Sequence, residues 1–188
     1  MSKGHPLPHL ELLAPPALRP SEEALQQLQL HPGFSLPRSY REFAKEYGYG
    51  RLCGLLIVYV PMEPPFEEPK HPDSLAVRSE ELADMLREGV EDEYFEYEPD
   101  GSPELISRLI PFAITETGGT LAWDAGDQTA EHEYRIYSIS PKLLAVRKGP
   151  GTLGELIEQC TGQRVKQLLG PGYEPLPAIF EPLEPVFD

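Results

Sequence analysis

The chain has 188 residues, 40% hydrophobic and 25% charged, enough for one domain with its own core and too apolar for a disordered chain. Its formal net charge of −15 and isoelectric point near 4.7 repel phosphate backbones, which argues against direct nucleic-acid binding. The same charge suits the capture of a basic partner, although plain solubility explains it as well.

The first twenty residues, "MSKGHPLPHLELLAPPALRP", read as a proline-rich extension. Prolines break any basic-plus-apolar leader, and the apolar patch is too short to span a bilayer, so a cytoplasmic protein is expected. Ser21 then caps a predicted helix, "SEEALQQLQL", with Glu22 and Glu23 in the first turn, where the helix dipole favours acids. In "LPRSYREFAKEYGYG", Pro37 fits a first helical turn. Tyr40, Phe43, Ala44 and Tyr47 form one apolar stripe, and Gly48 and Gly50 end the helix. "GLLIVYV" (54–60) reads as a buried strand closed by Pro61.

After a proline-broken loop, Ser79 is expected to cap "SEELADMLREG", with Leu82, Met85 and Leu86 on one face. "RLIPFAITE" and "TLAWD" predict a hairpin turning at Gly118 and Gly119, both given positive φ. Trp123 is expected in the core and Asp124 at the strand end. "EYRIYSIS" and "KLLAVRK" add predicted strands. Thr152 and Glu155 have capping-box spacing ahead of the stripe Leu153, Leu156, Ile157 and Cys160. The order predicts an α+β fold, a twisted, mostly antiparallel sheet packed by helices, over residues 21–169. Residues 170–188 read as a proline-rich acidic tail running extended over the surface, with Ile179, Phe180, Val186 and Phe187 pressed onto the domain.

Motifs for common chemistries are missing. There is no Gly-x-Ser-x-Gly elbow, phosphate loop, dinucleotide fingerprint or His-Glu-x-x-His, and five scattered histidines lack metal-ligand spacing. His132, between Glu131 and Glu133, reads as solvated. Cys53 and Cys160 lie outside any Cys-x-x-Cys pair, in apolar stretches where a thiolate is disfavoured. No catalytic residue, metal or cofactor is expected.

One charge block stands apart. From Glu88 to Ser107 there are eight acids and no lysine or arginine, with Tyr94, Phe95 and Tyr97 interleaved. It reads either as a solvated loop anchored by its aromatics or as a docking surface for a basic protein. In the second case the acids steer and the aromatics anchor. A calcium loop is a weaker reading, because the ligand order of an EF-hand is absent. The candidate partner contacts are Glu91, Asp92, Glu93, Tyr94, Glu96, Tyr97 and Glu98.

Two stretches together carry a resemblance. Leu36, Pro37, Tyr40 and Phe43 with Gly48 and Gly50 are followed about sixty residues later by Pro111, Phe112, Ala113, Gly118, Gly119, Trp123 and Asp124. With the helix from Thr152, these resemble the SUKH superfamily, named for cell-wall-assembly regulators of the Smi/Knr type, over about residues 21–165. Gly-Gly stands here where Gly-Asp is frequent, and both ends carry proline-rich extensions. The resemblance implies an α+β fold and, for most bacterial members, immunity proteins that bind and block a cognate secreted toxin, often a nuclease. For fungal members it implies regulatory scaffolds. It implies no enzyme.

Overall fold

The computed structural model describes residues 6–63 and 71–185. In chain order, the elements run β1 (Glu11–Leu12), α1 (Glu22–Gln27), α2 (Arg38–Glu46), β2 (Gly50–Leu52), β3 (Leu56–Val58) and α3 (Leu75–Glu91). They continue α4 (Pro103–Ile106), β4 (Leu109–Thr115), β5 (Thr120–Ala130), β6 (Glu133–Ile139), β7 (Val146–Lys148), α5 (Leu153–Cys160), α6 (Val165–Leu169) and β8 (Ile179–Pro182). The strands form one open mixed sheet in the order β1-β8-β2-β3-β4-β5-β6-β7. Every pairing is antiparallel except β1 with β8.

Strand alternation sends side chains to opposite faces, and each face has its own cover. Leu121, Trp123 and Ile136 join a cluster with Leu25 of α1, Tyr40 and Phe43 of α2, Leu156 and Ile157 of α5, and Leu168 of α6. Ala122, Tyr137 and Ile139 join a second cluster with Leu86 of α3, Leu105 and Ile106 of α4, and Phe95. The chain is therefore α+β, with helices on both faces of the sheet.

The stripe Tyr40, Phe43, Ala44 and Tyr47 is buried, as the spacing requires. Gly48, at φ 79°, follows the helix. Trp123 lies at the centre of the first cluster, stacked on Phe112 at 4.2 Å and meeting Tyr40 edge-on at 5.0 Å. Pro37, at the head of α2, has no side-chain bond to give the helix. The cap comes instead from Glu133 of β6: its Oε1 accepts Ser39 N–H at 2.8 Å and its Oε2 accepts the Ser39 hydroxyl at 2.8 Å. Ser39 Oγ in turn accepts Leu153 N–H of α5 at 2.9 Å. Burial pushes the Glu133 carboxyl up from its ordinary range, against the bonds from Ser39.

Several expectations need correction. The third helix starts at Leu75, four residues before Ser79, capped by the Ser74 hydroxyl on Val77 N–H, and Ser79 is buried inside it. Leu86 is buried on that helix but Met85 is exposed. "GLLIVYV" contributes a strand only at Leu56–Val58, because residues 50–52 pair with it as a hairpin turning at Cys53 and Gly54, both at positive φ. Only Gly118 of the Gly-Gly pair has positive φ, 97°. Gly119 is required by space, since a Cβ there would meet the Ile139 carbonyl and Thr115 hydroxyl at 2.9 Å. The strand of Trp123 runs on to Ala130, so Asp124 does not end it. Asp124 is buried at a break in the β5–β6 register, paired with Arg108 at 2.7 Å and accepting Gly126 N–H at 2.8 Å. In "KLLAVRK" only Val146–Lys148 is strand. Thr152 caps its helix on Glu155 N–H, but Glu155 reaches back to Gly151 N–H rather than closing on Thr152.

The tail differs most. Residues 171–178 run irregular and mostly exposed over the domain, but Ile179–Pro182 is inserted between β1 and β2 inside the sheet. Phe180 is fully buried, its ring 5.5 Å from Phe43 and 5.3 Å from Tyr47. Val186 and Phe187 lie outside the described residues.

Three outcomes are expected from this architecture. Phe180→Ala should cost about 3–5 kcal/mol by denaturant unfolding, like any large core aromatic, whereas the exposed Glu184→Ala should stay within about 0.5 kcal/mol. Glu133→Ala should cost about 2 kcal/mol, because two buried donors on Ser39 lose their acceptor. A carboxyl whose folded pKa is raised contributes stability that is complete below its unfolded pKa and is lost as pH rises through the folded one. The stability of wild type minus that of Glu133→Gln should therefore fall as pH rises from below the ordinary glutamate range to neutrality, measured by unfolding at each pH.

Candidate functional site

The acidic segment begins where α3 ends. Glu91 is the last helical residue, and Asp92 caps the helix with its N–H on the Glu88 carbonyl. The last turn holds no base, so Glu88, Glu91 and Asp92 face the negative end of the helix dipole without compensation. Glu93, at φ 59°, then reverses the chain, and Tyr94 N–H returns to the Gly89 carbonyl at 2.9 Å.

Beyond the turn the backbone is pinned. Glu96 N–H donates to the Leu143 carbonyl at 2.9 Å, Val146 N–H to the Glu98 carbonyl at 3.1 Å, and Asp100 N–H to the Val146 carbonyl at 3.0 Å. The Asp100 carboxylate accepts Lys148 N–H at 2.8 Å. The segment thus runs along β7 like an added strand, with a parallel bridge between Pro99 and Val146. Phe95 is buried in the second cluster, and Tyr97 stacks on it at 5.3 Å with planes 11° apart. Gly89 lets this corner close: a Cβ there would strike Leu143 Cδ1 at 2.4 Å.

This places the sequence candidates in two groups. Glu91, Asp92, Glu93, Tyr94, Glu96 and Glu98 are exposed, Tyr94 at 69%. Tyr97 is half-buried, and its ring serves to hold the segment down. Among the described residues, no lysine or arginine pairs with Glu88, Glu91, Asp92, Glu93, Glu96 or Glu98, whereas acids elsewhere are engaged, such as Glu22 by Lys45 and Asp73 by Arg78. Two neighbours escaped the sequence reading. Met85 is 41% exposed one helical turn before Gly89, and Leu144 is 52% exposed next to the residue that holds Glu96. Met85 had the spacing of a core residue and Leu144 sat in an expected strand, so neither carried a surface signal.

Other chemistry finds little support. Burial pushes the Cys53 thiol up to about 12 and raises that of Cys160 further, so neither is a ready nucleophile. His132 is exposed on a positive-φ turn beside Glu131. A cleft of about 610 Å³ lies between residues 29–31, α3 and the start of β4. Its His31 ring bonds the Pro32 carbonyl, and its Ser107 hydroxyl donates to the Glu104 carbonyl. Among the described residues no three His, Cys, Asp or Glu side chains gather as a metal site, the acidic loop included, and no helix is long and apolar enough to cross a membrane.

No curated protein and no solved structure matched the chain. A family model did, across residues 19–158, a span that holds the aromatic stripe of α2, the Pro111–Asp124 hairpin, the acidic segment and most of α5. The chain belongs to the SMI1/KNR4 family (SUKH-1).

Proposed function

We propose that this protein is a non-enzymatic immunity protein of the cytoplasm, which binds a cognate toxin with a basic surface and occludes its active site. The observation that carries the reading is the unpaired acidic run on the negative end of α3, held rigid along β7. Placing acids there raises the free energy of the isolated protein, and cations from a partner would lower it. Rigidity matters because a pinned backbone loses little entropy on binding. Tyr94 is the natural anchor: a large, amphipathic side chain with only two rotatable bonds, already presented to solvent. A toxin that cuts nucleic acid needs a positive groove for phosphates, and a row of carboxylates can occupy it. The alternative, a regulatory scaffold that uses its proline-rich ends as recognition segments, is weakened by β1 and β8, which commit a short stretch of each end to the sheet.

The partner to use is a basic toxin domain, sought first among the products of the genes adjoining this one. Reversing Glu91, Asp92 and Glu93 to lysine should slow its association about tenfold or more at low salt and flatten the salt dependence. An association rate unchanged by the reversal would remove the reading. Tyr94→Ala should act instead on dissociation, speeding it about tenfold or more by surface plasmon resonance. The free protein should respond in the opposite sense. Neutralising Glu91 and Asp92 to Gln and Asn should raise its unfolding free energy by about 0.3–1 kcal/mol per site, and a loss of stability would show that these acids serve the fold.

A further inference from the structure

A second recess lies apart from the acidic segment, where the end of α1, residues 34–36, the first turns of α2 and the β5–β6 turn meet. It holds about 430 Å³, within the range of small-ligand sites. Leu25, Leu28, Phe34 and Leu36 give it an apolar side, and Arg41 is its one guanidinium. Arg41 is unusual in this acidic protein. Among the described residues it makes no ion pair, and its Nε is shut off from solvent without an acceptor. Glu22, which feels the Arg41 charge, is bonded to Lys45 and Gln26, and Glu42, next to Arg41 in the chain, pairs with Arg38. Glu133, further in, is held by Ser39. What favours an external oxyanion here is a buried guanidinium donor that has no acceptor of its own, beside an apolar recess.

We propose that this recess binds a carboxylate carried on an apolar body, with Arg41 as its anchor. A small turn of the guanidinium would let Nε and one Nη donate in parallel to the two carboxylate oxygens, satisfying the donor that the present rotamer leaves orphaned. The flanking acids decide the charge of the ligand. Glu22 and Glu42 repel a phosphate dianion about twice as strongly as a monoanion, so a carboxylate is favoured over phosphate. The carboxylate can come from a free aromatic or aliphatic acid or from the end of a peptide chain.

The test follows the side-chain Nε–Hε resonance of Arg41 in the intact protein during titration with benzoate, with a peptide ending in Leu-Phe as free acid, with the same peptide amidated, and with inorganic phosphate. A saturable shift with benzoate or the free-acid peptide is expected. Benzoate binding alone assigns a small acid, and a preference for the free-acid peptide over its amide assigns a chain terminus. Arg41→Gln should abolish saturation by either probe, followed there by backbone amides of residues 34–36. Should Arg41→Gln fail to fold, Arg41→Lys decides, with binding about tenfold weaker because the planar fork is lost. The proposal is overturned by no saturation with either carboxylate, by equal binding of acid and amide without benzoate binding, by tighter phosphate binding, or by unchanged affinity in the Arg41 variant.

Discussion

One buried carboxylate fixes how the two halves of the chain meet. Glu133 on β6 supplies the cap that Pro37 cannot give to α2, and through the Ser39 hydroxyl it reaches the first turn of α5. Three elements share this junction, with α2 about a hundred residues from β6 and α5 in the chain. Burying a charged group is costly unless its bonds are complete, and here both oxygens are used by donors of one residue. The aromatic stripe of α2 can sit on Phe112 and Trp123 only in the orientation that this cap allows.

On the opposite face the electrostatics run against the fold. Glu88, Glu91 and Asp92 crowd a helix end that favours bases, and no described base answers them. The anchoring is done by other means: backbone bonds to β7, the Phe95–Tyr97 stack, and the tight approach of Leu143 over Gly89. Local rules are broken where packing can carry the cost, which is the usual mark of a surface kept for something other than stability. The same contrast separates Arg108, whose charge is spent on the buried Asp124, from Arg41, which makes no ion pair among the described residues.

What the sequence made legible follows the range of the interactions. The stripes of α2 and α5 are set by helical period within ten residues, and each residue of them is buried. The hairpin around Gly118 is likewise local. Ser79 misled because Ser-Glu-Glu spells a helix start, while the true start at Ser74 depends on Leu75 packing into the core from a neighbouring loop. Phe180 was read as apolar, but its place between β1 and β2 is set by pairing across some 130 residues. The acidic segment was visible as composition. Its rigidity, and the exposure of Met85 and Leu144 beside it, were not, because these depend on which strand forms the sheet edge.

The placement of β8 also sets an order of assembly. β1 is made first and β8 last among the strands, yet β8 lies between β1 and β2. During synthesis β1 has no neighbour, and β2 stays an open edge until residues 179–182 leave the ribosome. The growing chain therefore carries an unpaired strand and an unfilled place for Phe180 until β8 is made, a window in which chaperone contact or edge-to-edge pairing competes with folding.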